Sequence, residues 1–374
     1  MKIGIVGDLI LSDHLKIDKT LRDILHSTDL NIANLEAPFI REGMKPALKA
    51  GLHQLTEDCH ILHDLNIRAV SLANNHMCDF GSEGIEITRQ VLKDHGIAHF
   101  GAGSRLEEAL EPAEISIRKR KVALWGFMQR YASGRHFATS ASGGVAELRK
   151  DLVLSVLKES DADIKIIYNH WNQEFENFPE PVNKLLAEEA AQYCDLLIGS
   201  HSHCLQGIQS TGKSNIFYGM GNFSMPALEY AGTRLIEYPE ISRSSMLVVL
   251  NMDETDQSYT IHPIHLDQSA CLVSSPVKEE AEIVLLHLQG ISEALQKPYK
   301  TYRKFYNANK QRKLLPTQVR NRHFNRFRLW LYYGTDRMVR NIEMKLPSVL
   351  NRLGLLSFVK RRMSSLLQYL HSNR

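Results

Sequence analysis

The 374-residue chain is 43% hydrophobic and 23% charged, which excludes a mainly disordered polypeptide and suits one large domain with an appendage. Its five cysteines, Cys59, Cys78, Cys194, Cys204 and Cys271, are scattered and form no CxxC pair, which excludes a disulfide-stapled scaffold and points to a reducing compartment. The net charge of +3 hides an asymmetry: residues 297–374 carry nineteen Lys and Arg against two acids, Asp336 and Glu343, so the preceding part is net acidic by fourteen.

The chain opens with a short apolar run ending in Gly7-Asp8, without the pattern of a secretory signal. No later run approaches the ~18–20 apolar residues that a spanning helix needs. A cytoplasmic protein is the expectation. The opening reads as a buried strand that delivers Asp8 at its C-terminal end, where ligand sites lie in open α/β sheets. Residues 28–35 repeat the pattern and end at Glu36, followed by Pro38. A helix over 56–65 leads to a strand over 67–72, which runs into Asn74-Asn75-His76, and a second helix is predicted over 82–94. Strands follow at 97–100 and 122–126, then a loop over 129–144, rich in Ser, Gly and Ala, that reads as a lid. A helix over 145–160, a strand over 164–168 ending in Asn169-His170, a helix over 181–193 and a strand over 195–198 come next. The last strand opens into Gly199-Ser200-His201-Ser202-His203, with glycine expected to let the chain turn. Apolar runs at 245–251 and 259–266 are expected to close a second sheet. The rhythm of strand, loop and helix makes the fold α/β.

Asp8, Glu36, Asn75, His170, His201 and His203 thus gather at the ends of successive strands. Carboxylate and amide oxygens with imidazole nitrogens suit divalent Mn, Fe or Zn, and two ions would need one bridging carboxylate, a role assigned to Glu36. Two histidines spaced i, i+2 at a strand end supply one to each ion. Each element alone has a plainer reading, as a turn, a cap or a hydrogen-bonded histidine. A bland fold has no reason to end five strands in ligand-type residues.

The series GD (7–8), NLE (34–36), LANNHMCDFG (72–81), HW..E (170–174), GSHSH (199–203) and GNF (221–223) resembles the CapA family over residues 1–270. That family is associated with bacterial capsule and poly-γ-glutamate synthesis and is related to calcineurin-like metallophosphoesterases. The resemblance implies a calcineurin-like sandwich of two β-sheets flanked by helices, spanning 1–272, with a basic, mainly helical extension over 273–374. It further implies that Asp8, Glu36 and His203 hold one metal, that Glu36, Asn75, His170 and His201 hold the other, and that His76 is the general acid. The sequence departs from the usual phosphoesterase pattern at Ile10, where a histidine ligand is common, and at Asn172, where this family often has glycine. Two readings stand for Asp79, orienting His76 or capping the following helix. Two also stand for Glu174, contacting ligand or substrate or simply being solvated.

Segment 347–370 places Leu350, Leu353, Leu356, Val359, Met363, Leu366, Leu367 and Leu370 at helical spacing among basic residues. Such a helix suits peripheral contact with the inner face of the cytoplasmic membrane, or packing on the domain or a partner. Aromatics interleaved with basic residues after 297 also suit nucleic acid, the weakest of these readings because no recognised module accompanies them. The resulting expectation is a metal-dependent hydrolase acting on an anionic polymer or phosphorylated envelope intermediate in synthesis or modification of a capsule or other surface polymer. Its rival is a non-catalytic assembly or export factor that keeps the fold.

Overall fold

A computed structural model of the chain describes residues 1–48, 51–130, 137–227, 229–230, 234–235, 238–253 and 257–310. The amphipathic segment 347–370 and the centre of the expected lid, 131–136, lie outside the described residues.

Two sheets form the frame. The first has the order Lys16–Ile17, Leu272–Ser274, Gln257–Asp267, Ser244–Met252, Lys2–Leu9, Leu30–Leu35, Ile67–Ser71 and Ala98–Phe100, with Asn222–Ser224 also pairing with the opening strand. The second has the order Ile208–Ser210, Asn215–Phe217, Leu196–Ser200, Ile164–His170, Arg120–Met128 and Ala113–Ile117. Lys2–Leu9, Leu30–Leu35, Ile67–Ser71 and Ala98–Phe100 are mutually parallel, as are the four central strands of the second sheet.

Side-chain alternation along these strands builds the layers. Ile164, Ile166 and Tyr168 pack with Ile3, Ile5, Ile32, Leu196 and Ile198 in one core between the sheets, whereas the intervening Ile167 and Leu197 face the opposite way. On the outer face of the first sheet, Leu21 and Leu25 of helix Lys19–His26 and Ile85 and Leu92 of helix Gly81–Asp94 join a second core. On the outer face of the second sheet, Val153 and Leu157 of helix Lys150–Glu159 and Ala187 and Ala190 of helix Pro181–Ala190 join a third. Helix, sheet, sheet and helix layers therefore stack in that order, the sandwich that the family resemblance implied.

Two expectations are corrected. The apolar runs near 245–251 and 259–266 become Ser244–Met252 and Gln257–Asp267, but they extend the first sheet: Ser244–Met252 lies antiparallel to Lys2–Leu9. Apolar pattern identifies a strand without naming its partner. Helix formation before Lys150 also fails, because Val145 pairs with Ala102 in a two-stranded ribbon, leaving the helix to Lys150–Glu159.

After the first sheet the chain adds two helices. Leu288, Ile291 and Leu295 of helix Lys278–Leu295 are buried, and Ser292 Oγ accepts a hydrogen bond from Ile208 N. Tyr302 and Tyr306 of helix Tyr299–Asn309 enter the outer core of the second sheet, and Tyr302 Oη donates to Pro179 O at 2.7 Å. These two aromatics of the basic segment serve packing.

Candidate metal centre

The C-terminal ends of parallel strands from both sheets meet at one place, the position such sheets offer a ligand. In the first sheet Asp8 is opposite Asn34 on one side and Asn222 on the other. Glu36 follows Leu35 at the end of the next strand, and Asn75 opens a 3₁₀ turn, His76–Cys78, after Ile67–Ser71. In the second sheet His170 shares the face of Ile166 and Tyr168 and so turns toward the first sheet, opposite Ser200.

The turn after Ser200 has an unusual backbone. His201 and His203 both have positive φ, 80° and 52°, a region that non-glycine residues seldom enter and that costs roughly 1–3 kcal/mol. The bend carries both rings inward: the centroids of His170 and His201 are 4.5 Å apart, and those of His201 and His203 are 6.0 Å apart. Gly199 is not the turning residue. It lies within Leu196–Ser200, and a Cβ there would sit 2.0 Å from Tyr218 O and 2.3 Å from Trp171 Nε1. Glycine is required for close approach.

Asp8, Glu36 and His170 are buried, and each offers a ligand atom within 4.8 Å of the others. Asn75 Oδ1 lies 2.7 Å from His170 Nε2, His203 Nδ1 lies 3.4 Å from Asp8 Oδ2, and His201 N donates to that oxygen at 3.2 Å. The other three expected ligands adjoin this group, Asn75 and the His201 ring against His170 and His203 against Asp8. Their chemistry suits a divalent cation on an observation independent of motif: Glu36 Oε1 is buried and has no hydrogen-bond partner. A lone-pair-bearing oxygen left so costs about 1–3 kcal/mol, more when charged, unless a cation takes it. Ile10 is fully buried in the outer core of the first sheet, so hydrophobic packing occupies the place where a further ligand was considered.

Electrostatics follow from the crowding. Burial and the neighbouring Asp8 push Glu36 up to about 8. For His203 burial acts downward, but its hydrogen bond to Asp8 and the charges of Asp8 and Glu36 prevail and raise it to about 9. His170 is driven well below its ordinary value by burial and by His201 and His203, so it presents a neutral ring suited to ligation.

His76 and Asp79 form a separate pair beside the cluster. His76 Nδ1 lies 3.0 Å from Asp79 Oδ2, and burial of the imidazole is outweighed by that carboxylate, which raises its pKa. Asp79 also accepts from Leu52 N at 2.8 Å, while helix Gly81–Asp94 has no side-chain cap, so Asp79 orients His76 and is not a capping residue. Glu174 is exposed, and its charge acts on His203. Asn172, with φ of 71°, holds the glycine-like conformation its place requires and is fixed by its amide, which donates to Gln206 and accepts from Glu180 N and Asn183.

Asn34 and Asn222 were absent from the expected site, although both stood inside its motifs. Asn222 Oδ1 lies 2.9 Å from His203 Nδ1, and Asn34 touches both carboxylates. Their signal was position: an amide two residues before Glu36 on a strand shares its face.

Residues 5–227 match the family described as bacterial capsule synthesis protein PGA_cap. A capsule biosynthesis protein CapA of Bacillus anthracis is 27% identical over 244 residues, covering 60% of this chain and 59% of the relative. The chain thus spans under two thirds of that relative's length. A PGA biosynthesis protein CapA of Bacillus subtilis (strain 168) is 25% identical over 301 residues, 75% of each chain. A probable polyglutamine synthesis accessory protein of Mycobacterium tuberculosis is 26% identical over 210 residues, 52% of this chain and 55% of the relative.

Proposed function

Because the chain belongs to the bacterial capsule synthesis protein family PGA_cap, we propose that it is a metal-dependent hydrolase, phosphoesterase-like in its site, acting in synthesis or modification of a capsule or other surface polymer. The observation that carries this reading is the buried convergence of Asp8, Glu36 and His170 around an unpartnered Glu36 oxygen. Asp8, Glu36, Asn75, His170, His201 and His203 would hold the ion or ions, Mn, Fe or Zn by donor type. When bound, such an ion supplies Lewis-acid polarisation and positive charge where negative charge develops.

The chain's own residues supply the remainder. Asp79 holds His76 Nδ1, raises its pKa and so favours the protonated ring, and leaves Nε2 to deliver a proton to the departing atom. The His76 side chain is 14% exposed, against 7% or less for Asp8, Glu36, His170 and His203, as an acid that must meet substrate requires. An anionic polymer or phosphorylated envelope intermediate is the substrate class of this reading.

One observation favours a second reading, a non-catalytic assembly or export factor: Asp8 and Glu36 are fully buried and His201 and His203 are 6% and 5% exposed, so reacting atoms have little access. Metal analysis and turnover separate the two. Wild type should carry one or two equivalents of Mn, Fe or Zn that a His201→Ala/His203→Ala variant lacks, and should cleave a generic phosphodiester or phosphomonoester. His76→Ala should keep the metal and lose turnover. Metal without turnover on any substrate tried favours the assembly factor. No metal after loading removes the hydrolase reading.

A further inference from the structure

Asn34 is fully buried and lies directly opposite Asp8 in the adjacent parallel strand. Its side chain shares a face with Glu36, two residues on. One amide nitrogen carries two protons, and both are used on acids: Asn34 Nδ2 donates to Asp8 Oδ1 at 2.8 Å and to Glu36 Oε2. The amide is itself held from behind. Asn34 Oδ1 accepts from Asn74 Nδ2 at 3.1 Å, and Asn74 also donates to Leu35 O and accepts from Met77 N. A flipped amide would set its oxygen against the Asp8 carboxylate and its NH₂ against that of Asn74, so the orientation shown is the favoured one.

We propose that Asn34 is the positioning residue of this centre, a neutral two-pronged donor that presets Asp8 and Glu36 for cation binding. This rests on the metal-centre reading above. By engaging Asp8 Oδ1 and Glu36 Oε2 it leaves Asp8 Oδ2 to His203 and the His201 amide, holds Glu36 Oε2 3.7 Å from His170 Nδ1, and leaves Glu36 Oε1 buried without a partner. A lysine or arginine there would hold the same two acids but would cancel the negative charge that attracts a cation. An amide holds them without charge. The chain from Met77 N through Asn74 to Asn34 also ties the turn bearing Asn75 and His76 to the two acids, so ligands on three strand ends share one hydrogen-bonded support.

The experiment is Mn²⁺ titration calorimetry on the full chain, with the metal-free unfolding transition recorded for every variant. Asn34→Ala and Asn34→Leu should each weaken Mn²⁺ about 10–100-fold, the usual effect of losing a group that orients metal ligands. Leucine fills the space of asparagine, so recovery of affinity in Asn34→Leu would assign a packing role and overturn the proposal. Asn74→Ala leaves both acids their Asn34 donor, but frees Asn34 Oδ1 together with Leu35 O and the Met77 amide beside Asn75 and His76. It should weaken Mn²⁺ less than either Asn34 variant. If neither Asn34 variant folds, a loss of affinity in folded Asn74→Ala supports the relay and unchanged affinity refutes it. Mn²⁺ binding by wild type with affinities within twofold in the folded Asn34 variants would overturn the positioning role alone. No Mn²⁺ binding by wild type would remove the metal centre and this proposal with it.

Discussion

Replacing Gly199 by alanine is the smallest change that tests how the outer core of the second sheet and the histidine turn are built together. The new Cβ would meet Tyr218 O at 2.0 Å and Trp171 Nε1 at 2.3 Å, where ordinary contact begins at 3.4 Å. Neither neighbour has room to withdraw. Trp171 and Tyr218 are fully buried with their rings stacked at 5.8 Å, and Trp171 Nε1 donates to Tyr218 O at 2.9 Å. Gly199 O in turn accepts from Met220 N at 3.0 Å. Overpacking of this kind costs about 1–3 kcal/mol, and loss of the indole hydrogen bond adds about 0.5–1.5 kcal/mol. A destabilisation of about 2–4 kcal/mol is therefore expected from urea unfolding at unchanged m-value. Because His201 follows two residues later, part of the strain passes into the left-handed turn, and Mn²⁺ affinity should fall as well. A variant within about 0.5 kcal/mol of wild type, with unaltered Mn²⁺ binding, would refute the argument that close approach fixes this residue.

Proton release should accompany metal loading. Glu36, raised to about 8, and His203, raised to about 9, both hold protons in the metal-free protein at pH 7 and must lose them to ligate. Mn²⁺ affinity should therefore climb with pH and level off above about 9, and calorimetry in buffers of different ionisation enthalpy should register the protons; an affinity independent of pH across neutrality would contradict this. Tyr302→Ala empties a fully buried site and leaves Pro179 O without its donor, so a loss of about 3–5 kcal/mol is expected in denaturant unfolding. A near-neutral result would mean that helix Tyr299–Asn309 is not part of the folding unit. Truncation after Lys345 should abolish binding to anionic vesicles while leaving Mn²⁺ binding intact, and undiminished vesicle binding would discard the membrane role assigned to residues 347–370.

Much of the frame was legible because strand period and strand-end chemistry are local. Ile164, Ile166 and Tyr168 alternate with Lys165 and Ile167, and that alternation alone places His170 on the face between the sheets. Sheet membership was not legible. Nothing within 244–266 distinguishes pairing with Lys2–Leu9 from pairing elsewhere, since partner choice is decided by contacts more than two hundred residues away in the chain. Gly199 was recognised, yet its reason was misjudged, because a turn is visible in sequence and a neighbouring carbonyl is not. Asp79 was left between two roles for the same reason: Leu52 N, which shares its carboxylate with His76, comes from a loop that sequence does not bring near.

The candidate ligands stood out in the sequence by residue type, whereas their amide neighbours did not, and the difference is physical. Carboxylates and imidazoles are rare in a core, so their clustering at strand ends carries information by itself. Asparagines are common at strand ends and turns, where they cap, bend or solvate, so by type alone Asn34, Asn74 and Asn222 carry none. Yet the arrangement of charge depends on them. Asp8 and Glu36 are buried side by side; burial and the charge of Asp8 raise the pKa of Glu36, while His203, His76 and the Asn34 amide oppose that rise. Asn34 bonds both acids, and Asn222 bonds the histidine that faces Asp8. The site thus brings two buried acids, their amide donors and the facing histidine together, and leaves Glu36 Oε1 buried without a hydrogen-bond partner.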